Sequence, residues 1–354
     1  MTKLDQIVAF LSQELRKDCQ WSISAEYPQV FQPQNIHNLK FIEKDGRIVT
    51  HAALKPLIIK TPQFILKVAT IGSVVTAPDF RNQGLSTLVM QSCLEEARRQ
   101  SCDIAVLWTH LHDWYRRLGF ELAGYEEHFF IERPLPLPSS AMTPLKIIQG
   151  PQVEAAAILK LYQQHTINSY RTVKDIEAFL RIPNSQIYTG WDQNNELRAY
   201  SVVGKGADLQ DHVHEWGGNI PDLITLWNHM VTIKPFTVLI GPHSTNLIST
   251  LQKYKLIGMQ GYLGMFKIVC LDQLSEKIKR AIKQMGGKTF NISLLENSTI
   301  MVTIDELNIS LRSEAELIRL IFGPVDESQF PVTHLPTIRK YFPFPLWIWG
   351  WDSI

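Results

Sequence analysis

The sequence predicts an α+β (mixed α/β) protein of two or three units with central, mostly antiparallel sheets. Three observations carry this. A chain of 354 residues exceeds what one core usually serves. Strand pair, helix, strand, helix and strand follow one another in the first 135 residues and again in 186–269. After 271 the pattern changes to a helix, three short alternating strands and a second helix.

In chain order, Ile7, Phe10, Leu11 and Leu15 recur at helical spacing within 5–17. Strands follow at 38–43 and 47–54, with Asp45-Gly46 as a hairpin signal, and another covers 63–73. A helix opens at Leu85, and 104–108 is a buried strand. Residues 133–144 are extended and proline-punctuated, which marks a linker or edge crossing. Beyond it come helices at 153–162 and 174–181, strands at 186–191 and 197–203, a helix near 220–231, a strand at 236–241, a helix near 245–254 and a strand at 262–269. The last region has a helix built on Leu274, Ile278, Ile282 and Met285, then strands at 289–295, 299–304 and 307–311. Ser313 with Glu316 three residues on is a capping-box signal for a helix over 314–322, stopped by Gly323-Pro324. These shifts divide the chain into 1–135, 136–270 and 271–354.

Composition narrows the function classes. A net charge of +1 gives no electrostatic case for nucleic acid or an anionic membrane. Cys19, Cys93, Cys102 and Cys270 lack paired spacing and read as reduced thiols. The start of the chain shows no export signal, and no run approaches the roughly 20 apolar residues of a membrane span, so a cytoplasmic protein is expected.

The chemistry centres on 71–90. Here a short apolar strand turns at Pro78 and passes Arg81 and Gly84 before the helix begins. The first helical N–H groups have no partner inside the helix and point along its positive end, which favours phosphate. Gly84 admits close approach, and Arg81 adds a charge-assisted hydrogen bond. Arg81-x-x-Gly84-x-Ser86, preceded by Val74-Val-Thr-Ala-Pro78, resembles the pyrophosphate loop of the GCN5-related N-acetyltransferases (GNAT), Gln/Arg-x-x-Gly-x-Gly/Ala, with Ser86 a mild departure. Trp114-Tyr-Arg-Arg-Leu-Gly-Phe120 resembles the family's Tyr-x-x-x-Gly-Phe segment, whose tyrosine faces the thioester sulfur. The middle unit resembles a second such fold without the loop. The whole order resembles the bacterial enhanced intracellular survival (Eis) proteins, tandem units with a sterol-carrier-like C-terminal domain.

That resemblance implies acetyl-CoA as co-substrate, no metal, and transfer of acetyl to a primary amine. Arg81, Asn82, Gln83, Gly84, Leu85, Ser86 and Thr87 would hold the pyrophosphate. Main-chain groups of Val74, Val75 and Thr76 would face the pantetheine arm, and Tyr115 would act as general acid. His110, His112, Glu126 and Glu127 are alternative bases that read better as solvated residues. The acceptor is a small-molecule or peptide amine of unknown identity, and a homo-oligomer is compatible with the apolar tail. A non-catalytic coenzyme-binding protein and a transferase of longer acyl chains are the alternatives.

The tail, 341–354, carries three tryptophans and two phenylalanines and requires burial. Family resemblance implies that it returns to the first unit with the carboxylate of Ile354 as general base. A tail that only clasps domains, its carboxylate in a salt bridge, is the equal alternative. In the middle unit, Gly204-Lys-Gly206 lacks a third glycine and reads as a strand end or bulge. His212 and His214 share a strand face. They read as structural, or as lining an acceptor cavity, since no third zinc-ligand signal follows. Trp191, Trp216 and Trp227 are candidates for walls of such a cavity, and each singly is a candidate for core.

Overall fold

The computed structural model describes residues 2–137, 144–295 and 299–354, so part of the proline-punctuated stretch lies outside the described residues. The fold is mixed α and β, as the sequence predicts. Helix α1 (Lys3–Leu15) opens on a capping box: the Thr2 hydroxyl accepts from Asp5 N–H, and the Asp5 carboxylate accepts from Thr2 N–H. The one-turn α2 (Ile23–Glu26) follows, then strands β1 (Leu39–Lys44), β2 (Arg47–Lys60) and β3 (Ile65–Thr76). Helix α3 (Leu85–Arg99) packs Leu85, Val89, Met90, Cys93 and Ala97 on the sheet. Next are β4 (Ile104–Leu107), α4 (His112–Arg116), β5 (Glu121–Ala123) and β6 (Glu126–Ile131).

The middle region holds β7 (Lys146–Gln149), α5 (Ala155–Tyr162), β8 (Asn168–Ser169), α6 (Val173–Phe179), β9 (Gln186–Trp191), β10 (Leu197–Lys205) and β11 (Asp208–Gly218). It continues with α7 (Ile220–Ile233), β12 (Phe236–Ile240), α8 (Thr245–Lys253), β13 (Gly258–Gly261) and β14 (Gly264–Ile268). The last region is α9 (Leu271–Gln284), β15 (Phe290–Leu294), β16 (Ile300–Ile304), β17 (Leu307–Leu311), α10 (Glu314–Phe322) and α11 (Leu335–Tyr341). Ser313 caps α10 as its sequence predicts, but Glu316 reaches back to the N–H of Arg312 instead of closing the box on Ser313.

The sheets exchange strands. The first runs β1-β2-β3-β4-β14-β5, with β8 on β2; the second runs β13-β6-β12-β11-β10-β9-β7; the third is β15-β16-β17. A division of the chain at 135 and 270 cuts across this exchange, because β6 completes the second sheet and β14 the first. Inserting β14 between β4 and β5 satisfies both edges with ladder hydrogen bonds. Sheet membership therefore does not follow chain order.

Each large sheet contains one parallel pair that opens. In the first, β3 and β4 pair only from Val68↔Ile104 to Thr70↔Val106, while β3 continues to Thr76. In the second, β11 and β12 pair only at His212↔Thr237 and Val213↔Val238. Beyond those rungs, Trp216 donates its indole N–H to the Leu239 carbonyl (3.1 Å) and packs on Trp349 of the tail, centroids 5.2 Å apart. Trp349 is fully buried, stacks on His165 at 4.2 Å and donates to the Ile167 carbonyl at 3.0 Å. Trp227 is core, its indole N–H on Ser201, whereas Trp191 lies at the surface of the second sheet.

Candidate acyl-transfer site

The opened half of β3 is the floor of the site. A register shift lies between His51 and Ala53 of the facing β2, and Ser73 takes a left-handed φ of 50° there. The ring of His51, buried against Phe31, fixes this bulge by donating from Nδ1 to the Ser73 carbonyl at 3.0 Å. A carbonyl only accepts, so His51 carries its proton on Nδ1. Burial pushes its pKa down to about 4, and Nε2 has no hydrogen-bond partner among the described residues. Val74 and Val75 are half-buried and Thr76 is buried, all three beyond the last β4 rung.

From Thr76 the loop is tied down at both ends. The Thr76 hydroxyl bonds those of Thr50 and Ser86, each at 2.7 Å, and the Thr76 carbonyl accepts from Arg81 Nε at 3.2 Å. Asn82 and Gly84 both have left-handed φ, 61° and 75°, which curls the chain into α3. A methyl group on Gly84 would meet nothing within 4 Å, so open space lies beside it. Helix α3 has no side-chain N-cap, leaving the N–H groups of Leu85, Ser86 and Thr87 for an anion. Lys44 and Arg47, absent from the sequence reading, flank the loop: Lys44 Nζ donates to Gln83 at 3.0 Å, and both cations lie over Phe80. Only their positions on either side of the Asp45-Gly46 turn, opposite the loop, bring them here. These residues fit a diphosphate-bearing coenzyme.

The matching helix of the second sheet does not present such an end. At α7, the Asn219 side chain accepts from Asp222 N–H at 2.9 Å, Pro221 removes a donor, and Asp222 adds negative charge in the first turn.

Tyr115 lies on α4, buried edge-on to Trp114 and Phe120, in one cluster with Ile71, Cys93 and Leu107. Its hydroxyl makes no hydrogen bond to a described residue, and burial pushes its pKa up to about 12. The phenol therefore keeps its proton at neutral pH.

The aromatic tail crosses from the third sheet to the first. Phe344 N–H donates to the Ile321 carbonyl at 2.7 Å, Trp351 stacks on Phe179, and Ile354 ends against Gly72 of β3. A methyl group on Gly72 would overlap the carboxyl carbon of Ile354. Along its course Asp352 receives the Arg171 guanidinium at 2.7 Å, and Arg171 also pairs with Glu215 at 2.6 Å, all three buried.

Ile354 opens on a cavity of 440 Å³ at the meeting of the two large sheets and the tail. Of the alternative bases, His110 and Glu126 line it; His112 begins α4, and Glu127 instead receives the Gln260 amide at 2.9 Å. His212 and His214 both line it, as their shared strand face predicts. Sequence reading missed Tyr27, Trp108, His128, Asp208 and Trp347, which come from five separate segments. His128 donates to Glu126 at 2.7 Å, which holds its pKa above the usual imidazole value. Burial against the tail lowers that of His214 to about 3. The lining carboxylates are Glu126, Asp208 and Ile354, and no lysine or arginine lines it among the described residues.

Residues 7–123 match the sequence profile of the acetyltransferase (GNAT) domain. The matched residues include β1 to β4, the loop and Tyr115. No curated protein matches the chain in sequence. Among solved structures, a GCN5-related N-acetyltransferase from Kribbella flavida is 16% identical, with a TM-score of 0.63 over 100% of this chain and 98% of that one. One from Anabaena variabilis ATCC 29413 is 15% identical, TM-score 0.59, over 97% of each chain. Eis1 from Mycobacterium abscessus is 12% identical, TM-score 0.54, over 89% of this chain and 90% of that one. At these identities the likeness is one of fold, and it runs through both large sheets and the C-terminal region.

Proposed function

We propose that the protein is an N-acetyltransferase that moves acetyl from acetyl-CoA to a primary amine held in the 440 Å³ cavity. In this reading 1–135 is the catalytic unit, 136–270 a second GNAT-like unit without a coenzyme loop, and 271–354 a sterol-carrier-like unit that delivers the tail. Arg81, Asn82, Gln83, Gly84, Leu85, Ser86 and Thr87 hold the pyrophosphate, and the backbone of Val74, Val75 and Thr76 holds the arm. The coenzyme supplies an acyl thioester.

An alkylammonium near its ordinary pKa of about 10 is no nucleophile at neutral pH, so the chain must take a proton from it. The carboxylate of Ile354 is the proposed acceptor of that proton. Main-chain N–H groups at 74–76 stabilise the developing oxyanion while the C–N bond forms and the C–S bond breaks. Tyr115 gives its phenolic proton to the departing thiolate, and the extra proton left on the acylated nitrogen goes to the phenolate, which restores Tyr115 and leaves a neutral amide. The observation that carries this reading is Ile354 lying against Gly72, on the opened strand and in the wall of the cavity.

Two glycines added after Ile354 test it: thiol release with an amine panel should fall by about 10²-fold or more, with coenzyme A affinity retained. Undiminished turnover would exclude Ile354 as base. Coenzyme binding without thiol release from any amine would favour a non-catalytic role, and preference for long-chain acyl-CoA in competition would favour a longer donor.

A further inference from the structure

The second sheet holds the tail in a way that burial alone does not require. Lys205, the last residue of β10, is buried, and its ammonium donates to three tail carbonyls: Gly350 at 2.8 Å, Trp351 at 3.3 Å and Ser353 at 2.5 Å. The Ser353 hydroxyl closes the same turn by donating to the Gly350 carbonyl at 2.7 Å. Taking an ammonium out of water is costly, and an apolar side chain would anchor the tail without that cost. The neighbouring charges offset part of it: Asp352, Asp208 and Glu215 favour the ammonium and Arg171 opposes it, while burial still holds its pKa below the usual lysine value.

A convergent point charge adds geometry. The Ser353 carbonyl belongs to the planar peptide that leads into Ile354, so holding its oxygen fixes the plane from which the last residue departs. At the far side Gly72 leaves room for the carboxyl group. We propose that Lys205 is a positioning residue for acyl transfer, setting through the Ser353 carbonyl where the carboxylate of Ile354 lies on the opened strand. This rests on Ile354 as the base. The second unit, with its own helix end capped, would then contribute to catalysis by aiming a group at the first.

The experiment compares the full chain with Lys205→Met and Lys205→Gln, each with and without two glycines after Ile354. It reads kcat, the KM of the amine, coenzyme A affinity by calorimetry, and melting temperature. Lys205→Met should lower kcat by about 10²-fold with coenzyme affinity unchanged, and the extension should cost the variant nothing further. Lys205→Gln, neutral but still a donor to two carbonyls, should recover part of kcat; it also carries the test if Lys205→Met does not fold. Carboxypeptidase should remove Ile354 faster from the folded variant than from the parent.

A folded variant with parental kcat would overturn the proposal, as would an extension that costs the variant as much as the parent. An extension harmless to the parent would instead remove the base reading, and this inference with it.

Discussion

Gly72 has a hydrogen where any other residue would put carbon against the end of the chain. Its backbone is extended, so alanine there meets no conformational penalty, only the carboxyl group of Ile354. Gly72→Ala should displace that group by a fraction of an ångström to an ångström and lower single-turnover thiol release by about 10²-fold, with coenzyme affinity preserved. Equal rates in parent and variant would mean that the carboxyl group has no part in the reaction. Tyr115 is tested differently. Its hydroxyl supports no hydrogen bond among the described residues, so Tyr115→Phe should leave the melting temperature unchanged while turnover falls by about 10²-fold or more. A parallel loss of acetyl-CoA affinity would point to packing rather than proton donation.

At the scale of the element, the contrast between α3 and α7 explains why the proposed coenzyme site falls to one unit only. Both follow a strand that outruns its parallel partner. Helix α3 begins after Gly84 with bare N–H groups, whereas α7 begins with Asn219, Pro221 and Asp222 filling the same positions. Gly84 makes the first arrangement affordable, since its φ of 75° costs a side-chain-bearing residue about 1–2 kcal/mol. Gly84→Val should therefore weaken coenzyme A binding by tenfold or more, on the order of 1.4 kcal/mol, with a modest fall in melting temperature, readable by calorimetry. Unchanged affinity would mean that the anion sits elsewhere.

At the scale of the whole molecule, two buried imidazoles, His51 and His214, and two half-buried ones, His165 and His243, are held toward the neutral form. Burial lowers His51 and His165 to about 4 and His214 and His243 to about 3. In the unfolded chain each titrates near 6.5, so between that value and its folded pKa the unfolded state binds more protons. Stability is full above pH 6.5 and is lost as pH falls toward 4, by about 3 kcal/mol for His51 alone across the window. Urea unfolding at pH 7.5 and 5.0 checks this; equal stability at both would contradict the buried neutral state. Three of the four lie along the tail: Trp349 stacks on His165 and lies edge-on near His243, and Gly350 abuts His214. Acid should therefore loosen the tail together with the sheet that carries it.

The sequence by itself determined the local elements and the loop that leads into α3, because caps, turn residues and apolar periodicity act within a few residues of one another. Arg81, Gly84 and the helix from Leu85 were legible for that reason, as was the need to bury 341–354. Only the tertiary structure decided which strands share a sheet, since β6 and β14 choose partners by open edges far along the chain. It alone brought Tyr27, Trp108, His128, Asp208 and Trp347 to one cavity, and Lys205 to the carbonyls of a turn 145 residues on. Side chains so distant in sequence leave no spacing to read, and a buried cation is recognisable only once the groups that neutralise it have come together.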